Sequence, residues 1–234
     1  MRRFVLLAGL ALAIAACGSG DPARVEAGDH DRFWLWAGVQ APEGLKGREW
    51  YLLDGEVRAA EGGSFTSLRP GTPRIAGSDV WLVVRTDTLD WPPGGAEALA
   101  KRADRWASAG SRVVGIQLDF DARTRGLGDY AAFLADFRKR LPPRYRLSIT
   151  GLMDWSAHGD PAELRRLQGI VDEVVIQTYQ GRETIPGYEF YFNRMRGFPI
   201  PFKVGLVEHG RWIEPEVLRS EPNFQGYVVF LTGR

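Results

Sequence analysis

The sequence predicts an α/β domain built as a (β/α)8 TIM-like barrel, compact or slightly irregular, and three observations carry that expectation. Eight short runs rich in β-branched and aromatic residues follow one another along the chain. Helical stretches separate most of them, which implies parallel pairing, because a parallel crossover needs a dozen or more residues. Acids, amides and aromatics gather at the ends of several strands, where barrels of this kind carry their active sites.

The first segment lies outside that domain. Arg2 and Arg3 precede an apolar run from Phe4 to Ala16 that ends in Ile14-Ala15-Ala16-Cys17. The run is shorter than the ~20 residues needed to span a bilayer and fits the apolar region of a secretory signal. Its last four residues resemble a lipobox, which implies cleavage before a diacylated Cys17. Gly18 after the cysteine, by resemblance to enterobacterial sorting, points to the outer membrane facing the periplasm. The expected division is a signal peptide over 1–16, a lipidated cysteine and flexible tether over 17–31, and one barrel over 32–234. Cys17 is the single cysteine, so neither a disulfide framework nor a cysteine metal site is expected.

The barrel elements follow in order. Phe33–Val39 is the first strand and Glu49–Asp54 the second, with no helix visible after it. Val80–Asp87 is the third, followed by a helix from about Gly95 to Ala109. Arg112–Asp121 is the fourth, followed by a helix from about Gly128 to Leu141 that Pro142-Pro143 stops. Arg146–Asp154 is the fifth, and Asp160-Pro161 suits the N-cap and first position of the next helix. Glu173–Tyr179 is the sixth, with a weak helix around Tyr188–Met195. Phe202–Glu208 and Gly226–Thr232 are the seventh and eighth. An open doubly wound sheet is the alternative, but no glycine-rich phosphate loop follows the first strand.

Composition narrows the function classes. A formal net charge of +1, which falls by two when the leader leaves, argues against nucleic acid and polybasic membrane docking. Neither His-x-His nor His-Glu-x-x-His spacing occurs, so no transition-metal site and no cofactor are expected.

Strand alternation then selects candidate site residues. On the fourth strand Val114, Ile116, Leu118 and Phe120 form a face for helices, while Gly115, Gln117, Asp119 and Asp121 point into the barrel. The third strand adds Arg85 and Asp87. The fifth adds Ser148, Thr150 and Asp154, with Trp155 just beyond. The sixth adds Gln177 and Tyr179, the seventh ends in Glu208-His209, and the first contributes Trp34 and Trp36. Carboxylates with aromatics suit a sugar site: rings stack on pyranose faces while acids and amides bond hydroxyls.

Gly115-Ile116-Gln117-Leu118-Asp119-Phe120-Asp121 resembles the fourth-strand motif of family-18 chitinases, and Ile176-Gln177-Thr178-Tyr179-Gln180 resembles their sixth-strand segment. That resemblance implies Asp121 at the general-acid position, Asp119 as its supporting aspartate and Tyr179 as a substrate-holding tyrosine. Gln117 and Gln180 stand where the family has aspartates, and Asp121 is one methylene shorter than the family's glutamate. The tryptophan-rich first strand, the Gln-x-Asp-x-Asp fourth and the Gln-Thr-Tyr sixth resemble a bacterial lipoprotein family, domain of unknown function 3142. That resemblance implies a glycosidase-like barrel.

The leading expectation is therefore a glycoside hydrolase-like envelope lipoprotein acting on a polysaccharide or glycan. Asp121, Asp119 and Tyr179 would be catalytic, with Glu208 or Asp154 as a second carboxylate. Trp34, Trp36, Arg85, Asp87, Gln117, Trp155 and Gln177 would bind substrate. The alternatives are a barrel that binds glycan without cleaving it, a hard-cation site formed by Asp119 and Asp121 with Glu208 or His209, and a purely structural envelope protein.

Overall fold

In the computed structural model, the structure describes Asp21 and residues 23–122, 126–155 and 161–233. The proposed signal peptide and Cys17 lie outside the described residues, as does Asp160. Eight parallel strands close into a barrel: β1 (Arg32–Leu35), β2 (Glu49–Val57), β4 (Asp79–Thr86), β5 (Arg112–Asp119), β6 (Arg146–Leu152), β7 (Glu173–Gln177), β10 (Phe202–Val207) and β11 (Phe224–Leu231). β1 pairs in parallel with both β2 and β11, which closes the ring and removes the open-sheet alternative. These are the eight expected strands, each with shifted ends.

No helix crosses from β2 to β4. Instead the chain makes a 3-10 turn at Ala59–Glu61 and returns as β3 (Phe65–Ser67), antiparallel to β2. A second small hairpin, β8 (Tyr179–Gln180) with β9 (Glu183–Thr184), follows β7. The helices are α1 (Gly95–Ser108), α2 (Leu127–Arg140), α3 (Pro161–Leu167) and α4 (Tyr188–Phe192). In α1, Leu99, Ala103 and Trp106 are buried at i, i+4, i+7; in α2, Tyr130, Leu134 and Phe137 repeat the spacing, giving each an inward stripe. Leu141 leaves the helical region at ψ 127°, as a residue preceding proline should.

Two cores result. The outer one, between strands and helices, holds Phe33, Leu82, Ile116, Leu118, Leu147, Ile149, Val174 and their neighbours. The inner one fills the barrel with Trp34, Tyr51, Leu53, Trp81, Val83, Val175 and Val228. Val114 corrects the alternation read from the fourth strand: it packs on the inner core instead of facing the helices. The register shifts between Val80 and Trp81, where β5 takes an extra residue, and the parity reverses across that bulge.

Charge plugs the end of the barrel where the strands begin. Lys203 Nζ donates to Glu49 (2.8 Å), to Glu173 (2.9 Å) and to the Tyr51 hydroxyl (2.7 Å). The Tyr51 hydroxyl donates to Glu173 at 2.6 Å, and Trp81 Nε1 donates to Glu49 at 2.6 Å. Burial, then the two carboxylates, push the Tyr51 hydroxyl far above its ordinary pKa, so it remains a donor.

The tether expected over 17–31 shortens. Ala23, Val25 and Ala27 are buried against the barrel. Val25 N donates to Gly210 O, while His209 N and Trp212 N donate to Val25 O and Ala23 O. Apolar side chains at 23, 25 and 27 alternate with polar ones, a strand-like pattern that composition alone had hidden.

Candidate functional site

The C-terminal ends of the strands open into a cavity of about 800 Å³. Parity places its lining. Trp34 and Trp36 come from the end of β1, Arg85 from β4, Asp119 and Asp121 from the end of β5, Gln177 and Tyr179 from β7 and β8, and Phe230 from β11. Seven residues expected to act together, Trp34, Trp36, Arg85, Asp119, Asp121, Gln177 and Tyr179, thus share one cavity.

Its wall is aromatic. Tyr179 stacks on Phe230 with centroids 5.3 Å apart, and Trp34 and Trp36 meet Phe230 edge-on at 5.8 and 6.0 Å. The Arg85 guanidinium lies 5.3 Å from the Trp36 ring centroid.

The carboxyl pair sits in two environments. Asp119 is 8% exposed and accepts a hydrogen bond from the Thr150 hydroxyl at 2.9 Å. Burial pushes its pKa up from 3.8 to about 6, and the Asp121 carboxylate adds to the rise, while Thr150 and Arg85 oppose it. Asp121, two residues on, is exposed at the opening. The buried hydroxyls of Tyr130 and Tyr179 are held well above their ordinary values by burial and by the Asp119 charge, so both stay protonated beside it. Trp34 Nε1, Tyr130 Oη and Tyr179 Oη have no hydrogen-bond partner among the described residues.

The remaining expected site residues lie elsewhere. Gln117 is buried below the cavity, where its Nε2 donates to Ser148 Oγ at 2.9 Å; Ser148 passes the contact to Glu173 at 3.0 Å. Asp87 is exposed and accepts from Ala59 N at 2.7 Å, holding the turn that replaces the second helix. Glu208 accepts from Thr232 N at 3.1 Å and joins the ends of β10 and β11. Trp155 is fully buried in the outer core, its Nε1 donating to Ala122 O at 2.8 Å. Asp154 is half-buried beyond β6 and does not line the cavity. Strand alternation fails for Asp87, Asp154 and Glu208 because it ends where the strand ends, and the following turn re-aims each side chain.

The hard-cation reading needed Asp119 and Asp121 to meet Glu208 or His209. Glu208 is held by Thr232, and His209 pairs with Glu26 at 3.5 Å. Among the described residues no three His, Cys, Asp or Glu side chains gather as a metal site. No helix among them is long and apolar enough to cross a membrane.

Several lining residues were not anticipated. Arg182 enters from the β8–β9 hairpin, where Gly181 adopts φ 61°, and donates to Thr232 O at 3.3 Å. The Gln180-Gly181 pair after an apolar strand is the turn signal that could have marked it. Phe230 was findable from its parity with Val228. The Glu49–Glu173–Lys203 plug was signalled by a charge at or next to the start of three apolar strands.

Known structures share the architecture. The chain is similar to the spore cortex-lytic enzyme SleL of Bacillus cereus, with 17% identity and a TM-score of 0.53, covering 76% of this chain and 51% of that one. It is similar to the chitinase domain of the spore coat protein CotE of Clostridium difficile, with 12% identity and a TM-score of 0.50 over 85% and 68%. It is also similar to the xylanase and alpha-amylase inhibitor protein XAIP-II of Scadoxus multiflorus, with 10% identity and a TM-score of 0.51 over 86% and 93%. The chain spans about half the length of SleL. At these identities the likeness is one of fold, that of a (β/α)8 TIM-like barrel. No curated protein matches the sequence. Residues 88–188 match the family model described as Domain of unknown function (DUF3142), a stretch that carries β5, β6 and β7 with both aspartates and Tyr179.

Proposed function

We propose that the protein is a glycan-active barrel that cleaves glycosidic bonds by carboxyl chemistry at Asp121 and Asp119. One observation carries this reading: a buried carboxyl with a pKa of about 6 sits beside a second, exposed one in an aromatic-lined cavity. Such a pair can hold one proton near neutrality, which is what general-acid catalysis needs. Asp121, at the opening, delivers the proton to the leaving oxygen as the C–O bond breaks. Asp119, oriented by Thr150, keeps that proton within the pair and stabilises positive charge developing on the sugar. Asp119 and Asp121 are the only carboxylates among the described lining residues. The nucleophile is therefore water or a group of the substrate, without an opposing carboxylate. Trp36 and Phe230, only partly buried, offer ring surface for pyranose stacking, with Trp34 packed behind them.

The test is product analysis by mass spectrometry after incubation with chitin, peptidoglycan and exopolysaccharide fragments. Turnover by the wild type that falls at least ~100-fold in Asp121→Asn supports hydrolysis. Binding without turnover, unchanged in the variant, favours the second reading, a glycan-binding barrel. The short side chain of Asp121 is the observation behind that alternative.

We further infer that Cys17 bears the lipid and that the domain works in the cell envelope, probing extracytoplasmic glycans. Among the described residues the chain is held to the barrel from Asp21, which pairs with Arg211, and from Ala23, whose side chain is buried. Fatty-acid labelling of the full chain, lost in Cys17→Ala, is the expected result; equal labelling of the variant would sink the anchor.

A further inference from the structure

The cavity's cations point to its substrate class. Arg85 and Asp119 are register partners on adjacent strands, yet the guanidinium turns onto Trp36 and forms no ion pair with Asp119. Arg182 spends a donor on one backbone carbonyl, Thr232 O, at 3.3 Å. Both side chains are exposed, both line the cavity, and neither has a carboxylate partner among the described residues. Most other arginines that the structure describes in ion pairs sit on acids outside the cavity, such as Asp54, Asp79 and Asp104. Beside Asp119 and Asp121, the lining adds two buried donors without a partner among the described residues, Trp34 Nε1 and Tyr179 Oη. Two exposed guanidiniums without a carboxylate partner suit a ligand that brings its own anionic acceptor. Guanidinium and carboxylate match in planar, two-point geometry, and a guanidinium resting on an indole is preorganised to offer it.

We propose that the cavity takes an acidic glycan, with a sugar carboxylate held by Arg85 and Arg182 while the sugar face packs on Trp36. This rests on the glycan reading above and deepens it. The anion would offset the charge of Arg85, which stands in register with Asp119 and also acts on it.

The experiment uses oligosaccharides of hyaluronan, alginate and polygalacturonate, each beside its carboxyl-reduced, neutral counterpart. Binding to the full-length protein is measured by calorimetry at low and high salt. The expected result is at least about tenfold tighter binding of one acidic form over its reduced form. That preference should shrink with salt and be lost in Arg85→Gln and in Arg182→Gln, with melting temperature as a folding control. If Arg85→Gln fails to fold, Arg182→Gln decides alone. Equal binding of acidic and reduced forms overturns the acidic class and leaves the glycan reading standing. An acid preference that survives both substitutions overturns the assignment to these arginines. Binding of neither form of any oligosaccharide overturns this inference, while turnover or binding of the chitin and peptidoglycan fragments decides the glycan reading separately.

Discussion

Arg85 and Asp119 stand side by side on β4 and β5, and each gives its first contact to something else: Arg85 to the Trp36 ring, Asp119 to the Thr150 hydroxyl. Arg85 therefore acts on Asp119 through space and only partly offsets the rise caused by burial. Arg85→Gln should move the Asp119 pKa further above 6. The check is carboxyl titration by NMR in both proteins; an unchanged or lower value in the variant would show that the charge is not felt.

Asp119 also sets a pH dependence of stability. Its folded pKa, about 6, lies above the ordinary 3.8, so the fold favours the protonated form. Stability is highest below the ordinary carboxyl range, declines as pH rises from about 4 to about 6, and then levels off. The full difference is about 3 kcal/mol. Asp119→Asn should melt higher than wild type at pH 8 and converge with it at pH 4. Parallel melting curves across that window would refute the assignment.

The same proton should shape activity. Turnover that needs the pair to hold one proton falls as pH passes about 6, and Asp119→Asn, which leaves Asp121 to hold the proton alone, should displace that limb of the kcat/KM profile from pH 6.

The charge plug makes a contrasting prediction. Lys203→Met leaves Glu49 and Glu173 buried without their shared cation and should cost about 3–5 kcal/mol. Replacing Glu49 and Glu173 by Gln in the same chain should recover much of that loss. Chemical denaturation of the single and triple variants measures it, and a triple variant as unstable as the single one would mean the network does more than neutralise charge.

Gly115→Ala tests the bulged start of β5. A Cβ there would press into the Arg146 carbonyl and the Trp81 ring, both fixed, so the variant should lose at least ~1–3 kcal/mol. Unchanged melting would show that the bulge relaxes.

Period-2 patterning carried most of the fold. Trp34 and Trp36, Gln117 and Asp119, and Ser148 and Thr150 face inward as alternation requires, and all eight strands appear where β-branched runs stand. Alternation holds only while a strand is regular. Val114 turned inward at a bulge, and Asp87, Asp154 and Glu208 followed strand ends into turns that took them away from the cavity.

By itself, the sequence determined an eight-stranded parallel α/β domain and the inward face of β5, because side-chain period and crossover length are local properties. Which inward residues share one cavity was decided by closure of β1 on β11, which brings Trp34 beside Phe230 and sets both opposite Asp119. The pKa of Asp119 and the freedom of Arg85 are likewise tertiary, since they depend on burial and on neighbours from strands far apart in the chain.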